Sequence, residues 1–162
     1  INATAVNGVD TSSLATAVPP VAALMARHPE LEFILQKNDE TEPLWRGLLE
    51  GGGENTGAAG RLPSNVTMLV DESKGTGVLA SSWPSPPEGY DIGYAGGIGP
   101  ANIQMVLRDV TTAAQKRAVW VDMESSLRST KNGDDVFDID KCYQCIEAAC
   151  DMGIFEQPDY LK

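Results

Sequence analysis

Tyr94-Ala95-Gly96-Gly97-Ile98-Gly99-Pro100-Ala101-Asn102-Ile103 is the run on which the fold turns. An apolar stretch ends in small residues, and Pro100 then suits a helix start, where its missing N–H and fixed φ cost nothing. Ile103, Val106, Leu107 and Val110 follow at helical spacing. The run therefore predicts a strand, a tight corner and a helix. Val119-Trp120-Val121-Asp122-Met123-Glu124-Ser125-Ser126 repeats the first half of that pattern and is again followed by a helix. Backbone groups at such corners are free to bind anions or sugar hydroxyls. Two corners in tandem predict neighbouring strands of one parallel sheet, with a site across their carboxyl ends.

The same order extends upstream. Residues 1–7 read as the tail of a strand, closed by Asn7-Gly8, and Thr11, Ser12 and Ser13 offer caps for the next element. Pro19-Pro20 marks a helix start, with Val21, Leu24 and Met25 on its inner face, and His28-Pro29 ends it. Leu31 to Gln36 reads as a buried strand, and Glu42 to Glu50 as a helix presenting Leu44, Trp45, Leu48 and Leu49. Gly51 to Pro63 is a glycine-rich loop, Val66 to Val70 the clearest strand, and Asp71 to Gly89 a long irregular segment. Tyr90 to Ala95 and Ala118 to Met123 are further strands. Ser129 to Asp135 reads as a polar loop, and Asp138 to Met152 as a final helix with Ile139, Cys142, Ile146 and Ala149 inward. Alternating strands and helices make this one α/β domain with a parallel sheet.

Composition narrows the function. The 162 residues carry 12 basic and 23 acidic side chains, with no basic stripe, which argues against nucleic acid as a partner. No run approaches the roughly 20 apolar residues of a membrane span, and nothing resembles a signal peptide. The three cysteines, Cys142, Cys145 and Cys150, crowd into one helix and form no secreted disulfide framework, so a cytoplasmic setting is expected. They lack a fourth ligand for zinc and sit beside the apolar face, so packing is expected rather than metal. His28, the only histidine, lies at a helix end, where it is expected to cap.

Asp71 stands just past Val66-Thr67-Met68-Leu69-Val70, where partial desolvation favours acid/base work; it also opens a good turn, Asp71-Glu72-Ser73-Lys74-Gly75. Gly75-Thr76-Gly77 and Gly96-Gly97 allow a ligand to approach the backbone closely, or else form tight turns with no ligand. Asp122 and Glu124 alternate with apolar neighbours, so a continuing strand would point both to one side, towards a ligand or towards a salt bridge with Arg128.

Together these corners resemble phosphoribosylanthranilate isomerase, a TIM-barrel enzyme of tryptophan biosynthesis. The match covers most of this chain but only the later half of that family's barrel, so the resemblance implies an incomplete (β/α)8-type fold. Val66 to Asp71, with Gly75-Thr76-Gly77 and Trp83, is similar to the family's sixth strand and loop, which implies that Asp71 is the general acid. Ala95 to Ile103 resembles the seventh strand's phosphate loop, normally Gly-Gly-Leu-x-Pro-x-Asn-Val. Val119 to Ser126 resembles the eighth, normally Val-Asp-Val-Ser-Ser-Gly-Val-Glu, which implies Asp122 at the substrate's hydroxyls and Ser125 by the phosphate. Strands one to three are absent on this alignment, and nothing matches the Lys-x-Cys-Gly strand that holds the family's general-base cysteine. Glu124, Ser126 and Arg128 also depart from the eighth-strand pattern.

The resemblance implies binding of a phosphorylated sugar or related metabolite, with an Amadori-type aldose–ketose isomerisation as the reaction and no metal or organic cofactor. Asp71 is its expected acid; Gly75, Gly77, Gly96, Gly97, Asp122, Glu124 and Ser125 are its expected binding residues. The alternative is a non-catalytic ligand-binding or structural barrel. In either case an open half-barrel exposes sheet edges, so a homo-oligomer or the missing strands are expected to cover them.

Overall fold

The computed structural model describes residues 1–51, 61–74 and 76–154. Most of the expected glycine-rich loop, and Gly75, lie outside the described residues. Four parallel strands lie side by side in chain order: β1 (Phe33–Lys37), β2 (Val66–Val70), β3 (Ile92–Tyr94) and β4 (Trp120–Val121). Helices α1 (Val18–Arg27), α2 (Glu42–Gly51), α3 (Ile103–Ala114) and α4 (Ile139–Asp151) accompany them. The expected α/β class with a parallel sheet is therefore present, but the described strands form an open sheet and not a closed barrel.

Strand order explains how the two sheet faces differ. Parallel crossovers are right-handed, so strands added in one direction place their helices on one face. Leu35, Met68, Ile92 and Tyr94 share that face through the register, and each is at most 1% exposed. Met25, Leu44, Leu48, Val106 and Val110 from the helices join the same core. Burying each such side chain contributes about 1.5–3 kcal/mol. The opposite face carries Ile34, Thr67, Leu69, Gly93 and Trp120, and Ile34 is 44% exposed there. Trp120 lies flat across Gly93: a Cβ on Gly93 would come within 2.3 Å of its ring.

Several local expectations are corrected. Only Ile1 pairs like a strand: its amine donates to the Ile34 carbonyl and its carbonyl accepts from the Gln36 amide at 3.1 Å. Asp10, not Thr11, Ser12 or Ser13, caps the 3₁₀ turn Thr11–Ala17, accepting from the Ser12 amide at 3.0 Å. In α1, Met25 is buried as expected, whereas Leu24 is exposed. His28 stands at the C-terminal cap position, but its ring meets the Glu30 carboxylate at 3.0 Å instead of the helix carbonyls.

The expected polar loop at 129–135 is an antiparallel hairpin, β5 (Arg128–Lys131) and β6 (Asp134–Phe137). Asn132 and Gly133 turn it with φ of 56° and 91°. In α4, Ile139 (61%) and Ile146 (50%) are exposed, while Cys145 is the buried residue. Cys142 and Cys145 line an apolar cavity of about 440 Å³ between α3, β4 and α4, so these two thiols pack as expected; Cys150 is exposed. Asp138 caps α4, accepting from the Asp140 amide at 3.2 Å, and a hydrogen bond with Ser129 and the nearby Lys131 hold its carboxyl below the usual range.

Candidate functional site

A polar cleft of about 90 Å³ opens at the carboxyl ends of β2, β3 and β4. Three chain segments build it: Asp71, Ser73 and Gly77 after β2; Ala95 to Ile98 after β3; and Asp122 to Ser125 after β4. All the expected site residues except Gly75, which lies outside the described residues, line this one cleft. Sheet register produces the convergence, because Asp71, Ala95 and Asp122 each follow the last residue of a strand paired to its neighbour. Backbone bonds continue the ladder past the strands: Ala95 N–H donates to the Val70 carbonyl at 2.8 Å, and Asp122 N–H to that of Tyr94 at 2.9 Å.

Asp71 is 5% exposed, and both its oxygens are engaged. Gln36 Nε2 donates to Oδ2 at 2.6 Å. The Ser73 hydroxyl and amide donate to Oδ1 at 2.6 and 3.1 Å. The turn expected around Asp71 is thus present, and the carboxylate serves as its cap. Gln36 Oε1 is buried without a partner among the described residues.

The Gly96-Gly97 corner is tied from two sides. Asn102 turns its side chain back into it, accepting from the Gly99 amide and donating to the Gly97 carbonyl, each at 2.9 Å. This contact delays the helix: α3 starts at Ile103, not at Pro100 as the sequence predicts. Asn102 is not among the expected site residues; Asn is one of the residue types that favour such helix-start positions. From above, the segment Gly77–Ala80 crosses the corner, with the Val78 carbonyl 3.3 Å from the position of a Cβ on Gly96. The amides of Gly96, Gly97 and Ile98 make no hydrogen bond among the described residues, and all three residues line the cleft. Successive free amides in a turn conformation can form an anion-binding concavity.

The β4 side is acidic. The strand ends at Val121, yet Asp122 and Glu124 both face the cleft. Desolvation, and then the charges of Glu124 and Asp71, push the Asp122 carboxyl above its usual range. Arg128 does not relieve this crowding, because it pairs with Asp135 at 2.7 Å instead. Ser125 Oγ lies against Gly77, 2.5 Å from where a Cβ would stand. The cleft is thus lined by Gly96 to Ile98 after β3 and by the carboxylates of Asp122 and Glu124 after β4. No cluster of His, Cys, Asp and Glu suited to a metal ion occurs among the described residues. No helix of the described residues is long and apolar enough to cross a membrane. Comparison with protein families, with functionally described proteins and with solved structures finds no match.

Proposed function

We propose that the chain is the later half of a divergent phosphoribosylanthranilate isomerase-like barrel, and that its cleft binds a phosphorylated sugar or a related small metabolite. One observation supports this reading: Gly96, Gly97 and Ile98, whose amides are unengaged among the described residues, line the same cleft as Asp122 and Glu124. A phosphate accepts from the amides. Sugar hydroxyls donate to Asp122 and Glu124. Neither group alone suits the whole cleft, because a phosphate against Glu124 is repelled and a simple cation gains nothing from the amides.

The reaction that fits is an aldose–ketose isomerisation. Asp71 gives a proton to the ring oxygen, and a second group removes the proton from the sugar's C2. Asp122, with its raised pKa, suits that second role. A competing reading, binding without turnover, is favoured by the hydrogen bonds from Gln36 and Ser73 that occupy Asp71. Titration with ribose 5-phosphate and a coupled isomerisation assay separate the two. Saturable binding that perturbs the Gly96–Ile98 amides, with turnover lost in Asp71→Asn, supports the enzyme. Binding without turnover in either form leaves the non-catalytic reading, and absence of binding ends both.

A further inference from the structure

The exposed side of α4 carries a second apolar stripe. Ile139 (61%), Tyr143 (60%) and Ile146 (50%) are exposed, and so is Cys150. Their spacing of four, three and four residues is that of a heptad seam. At 3.6 residues per turn the four fall within about 60° of one another around the helix axis. The helix already packs a different side, Cys145 with Cys142, Ala148, Ala149 and Met152, against the core. One apolar face is enough to seat a helix on a domain, so the second is left over for another contact. None of the four stripe residues lines the cleft described above.

Two features define what fits this stripe. On one side it runs into the apolar cavity of about 440 Å³ between α3, β4 and α4, which Ile146, Cys142, Ala149 and Ile154 help to line. A cavity beside an apolar seam suits an anchoring side chain of a docked helix. On its other side the stripe is bordered by Asp140, Glu147 and Asp151, all exposed. No basic side chain pairs with any of these three among the described residues. Lys141, the one basic residue of α4, donates to the Arg128 carbonyl instead. The border is therefore a row of uncompensated negative charge on a chain whose net charge is −11. That charge weighs against a second copy, which would bring the same acids to the same seam, and against an anionic membrane surface.

We propose that this face of α4 docks an amphipathic helix of another protein, one whose apolar seam is flanked by Lys or Arg. The partner's apolar residues pack along Ile139, Tyr143 and Ile146, and one of them enters the cavity beside Cys142. Its basic flank meets Asp140, Glu147 and Asp151. The apolar contact supplies affinity, while the charges select the partner and its orientation.

The test is a titration of the ¹⁵N-labelled full chain with a synthetic amphipathic helix of about 18 residues, long enough to hold helix in water, with Leu along its seam and Lys on both flanks. A second peptide carries Glu in place of every Lys. The expected result is saturable binding of the Lys peptide, with amide shifts centred on Ile139, Tyr143 and Ile146, and much weaker binding of the Glu peptide. The double variant Ile139→Gln, Tyr143→Gln keeps every charge and is expected to weaken the Lys peptide about tenfold. Glu147→Lys is expected to narrow the gap between the two peptides. These side chains are exposed, and the amide spectrum of each variant reports whether it is folded. No saturable binding, shifts spread away from α4, equal binding of the two peptides, or binding unchanged in the folded double variant would overturn the proposal. So would a dimer in sedimentation that the double variant dissociates, which assigns the stripe to a second copy, or uptake by anionic vesicles that the double variant abolishes, which assigns it to a membrane.

Discussion

Gly97 lies so close beneath Leu79 that a Cβ on it would stand 2.5 Å from the Leu79 backbone nitrogen, and 2.7 Å from the Gly77 carbonyl oxygen. The glycine pair at this corner thus serves the chain itself: it lets the segment after β2 cross over the end of β3. The same crossing places Gly77 against Ser125 and closes one side of the cleft.

Gly97→Ala should therefore be costly. Its φ of 61° alone costs a non-glycine residue about 1–3 kcal/mol, and the obstacle is backbone, which cannot rotate away. Urea denaturation should show a loss at or above that range, with faster amide exchange at Val78 and Leu79. A loss under about 0.5 kcal/mol, the ordinary range for a neutral surface change, would mean that the crossing is not held as described.

At Asp71 the contrast between two substitutions is informative. Asn keeps one oxygen for Ser73 and presents an N–H₂ to Gln36, whose unpartnered Oε1 can accept it after the amide turns over. Asp71→Asn should change stability by less than about 1 kcal/mol. Asp71→Leu leaves Gln36 Nε2 and the Ser73 amide without acceptors and should cost about 1–3 kcal/mol for each. Equal thermal stabilities for the two variants would contradict this hydrogen-bond assignment.

Asp122 makes a pH prediction. Its carboxyl is raised by desolvation, Glu124 and Asp71, so the folded chain holds a proton at pH values where the unfolded chain has lost it. Stability is then complete below the unfolded value of 3.8 and falls as pH rises through the folded value. Asp122→Asn should match the parent protein at low pH and exceed it in Tm at neutral pH. A variant that is less stable at neutral pH would show that the ionised carboxylate has a favourable partner.

The sheet and the cleft were legible because both depend on local pattern. Val66–Val70 is a continuous apolar run followed by Asp71, and parallel pairing places the residues that end each strand side by side. Asp122 and Glu124 line one cleft, as their alternation suggested, although the strand stops before them. The start of α3 was misread because Pro100 permits a helix start without requiring one, while Asn102 holds the turn in another geometry. The inward face of α4 is legible in part: Cys142 and Ala149 pack against the core as expected, while Ile139 and Ile146 are exposed and Cys145 is buried instead. The contact of the Lys37 ammonium with the Trp45 and Tyr90 rings gives no signal in the sequence, because only the fold brings these residues together.

The hairpin was missed for a different reason, and it yields a further prediction. Arg128–Lys131 and Asp134–Phe137 are too polar to alternate visibly, so the Asn132-Gly133 turn was the only available signal. That turn carries the structure: both residues have positive φ, and nothing lies within 4 Å of a Cβ on Gly133. Gly133→Ala should therefore cost conformational energy alone, about 1–2 kcal/mol, with no steric component. The loss should stay local, raising amide exchange at the cross-strand pair Ser129 and Val136 while anion binding at the cleft is unchanged. The Asp138 amide bond to the Leu127 carbonyl, 2.8 Å long, joins the two ends of the hairpin below the turn. It should hold α4 in place, so exchange in α4 should not rise. Protection lost in α4 as well would show that the hairpin and the helix open as one unit.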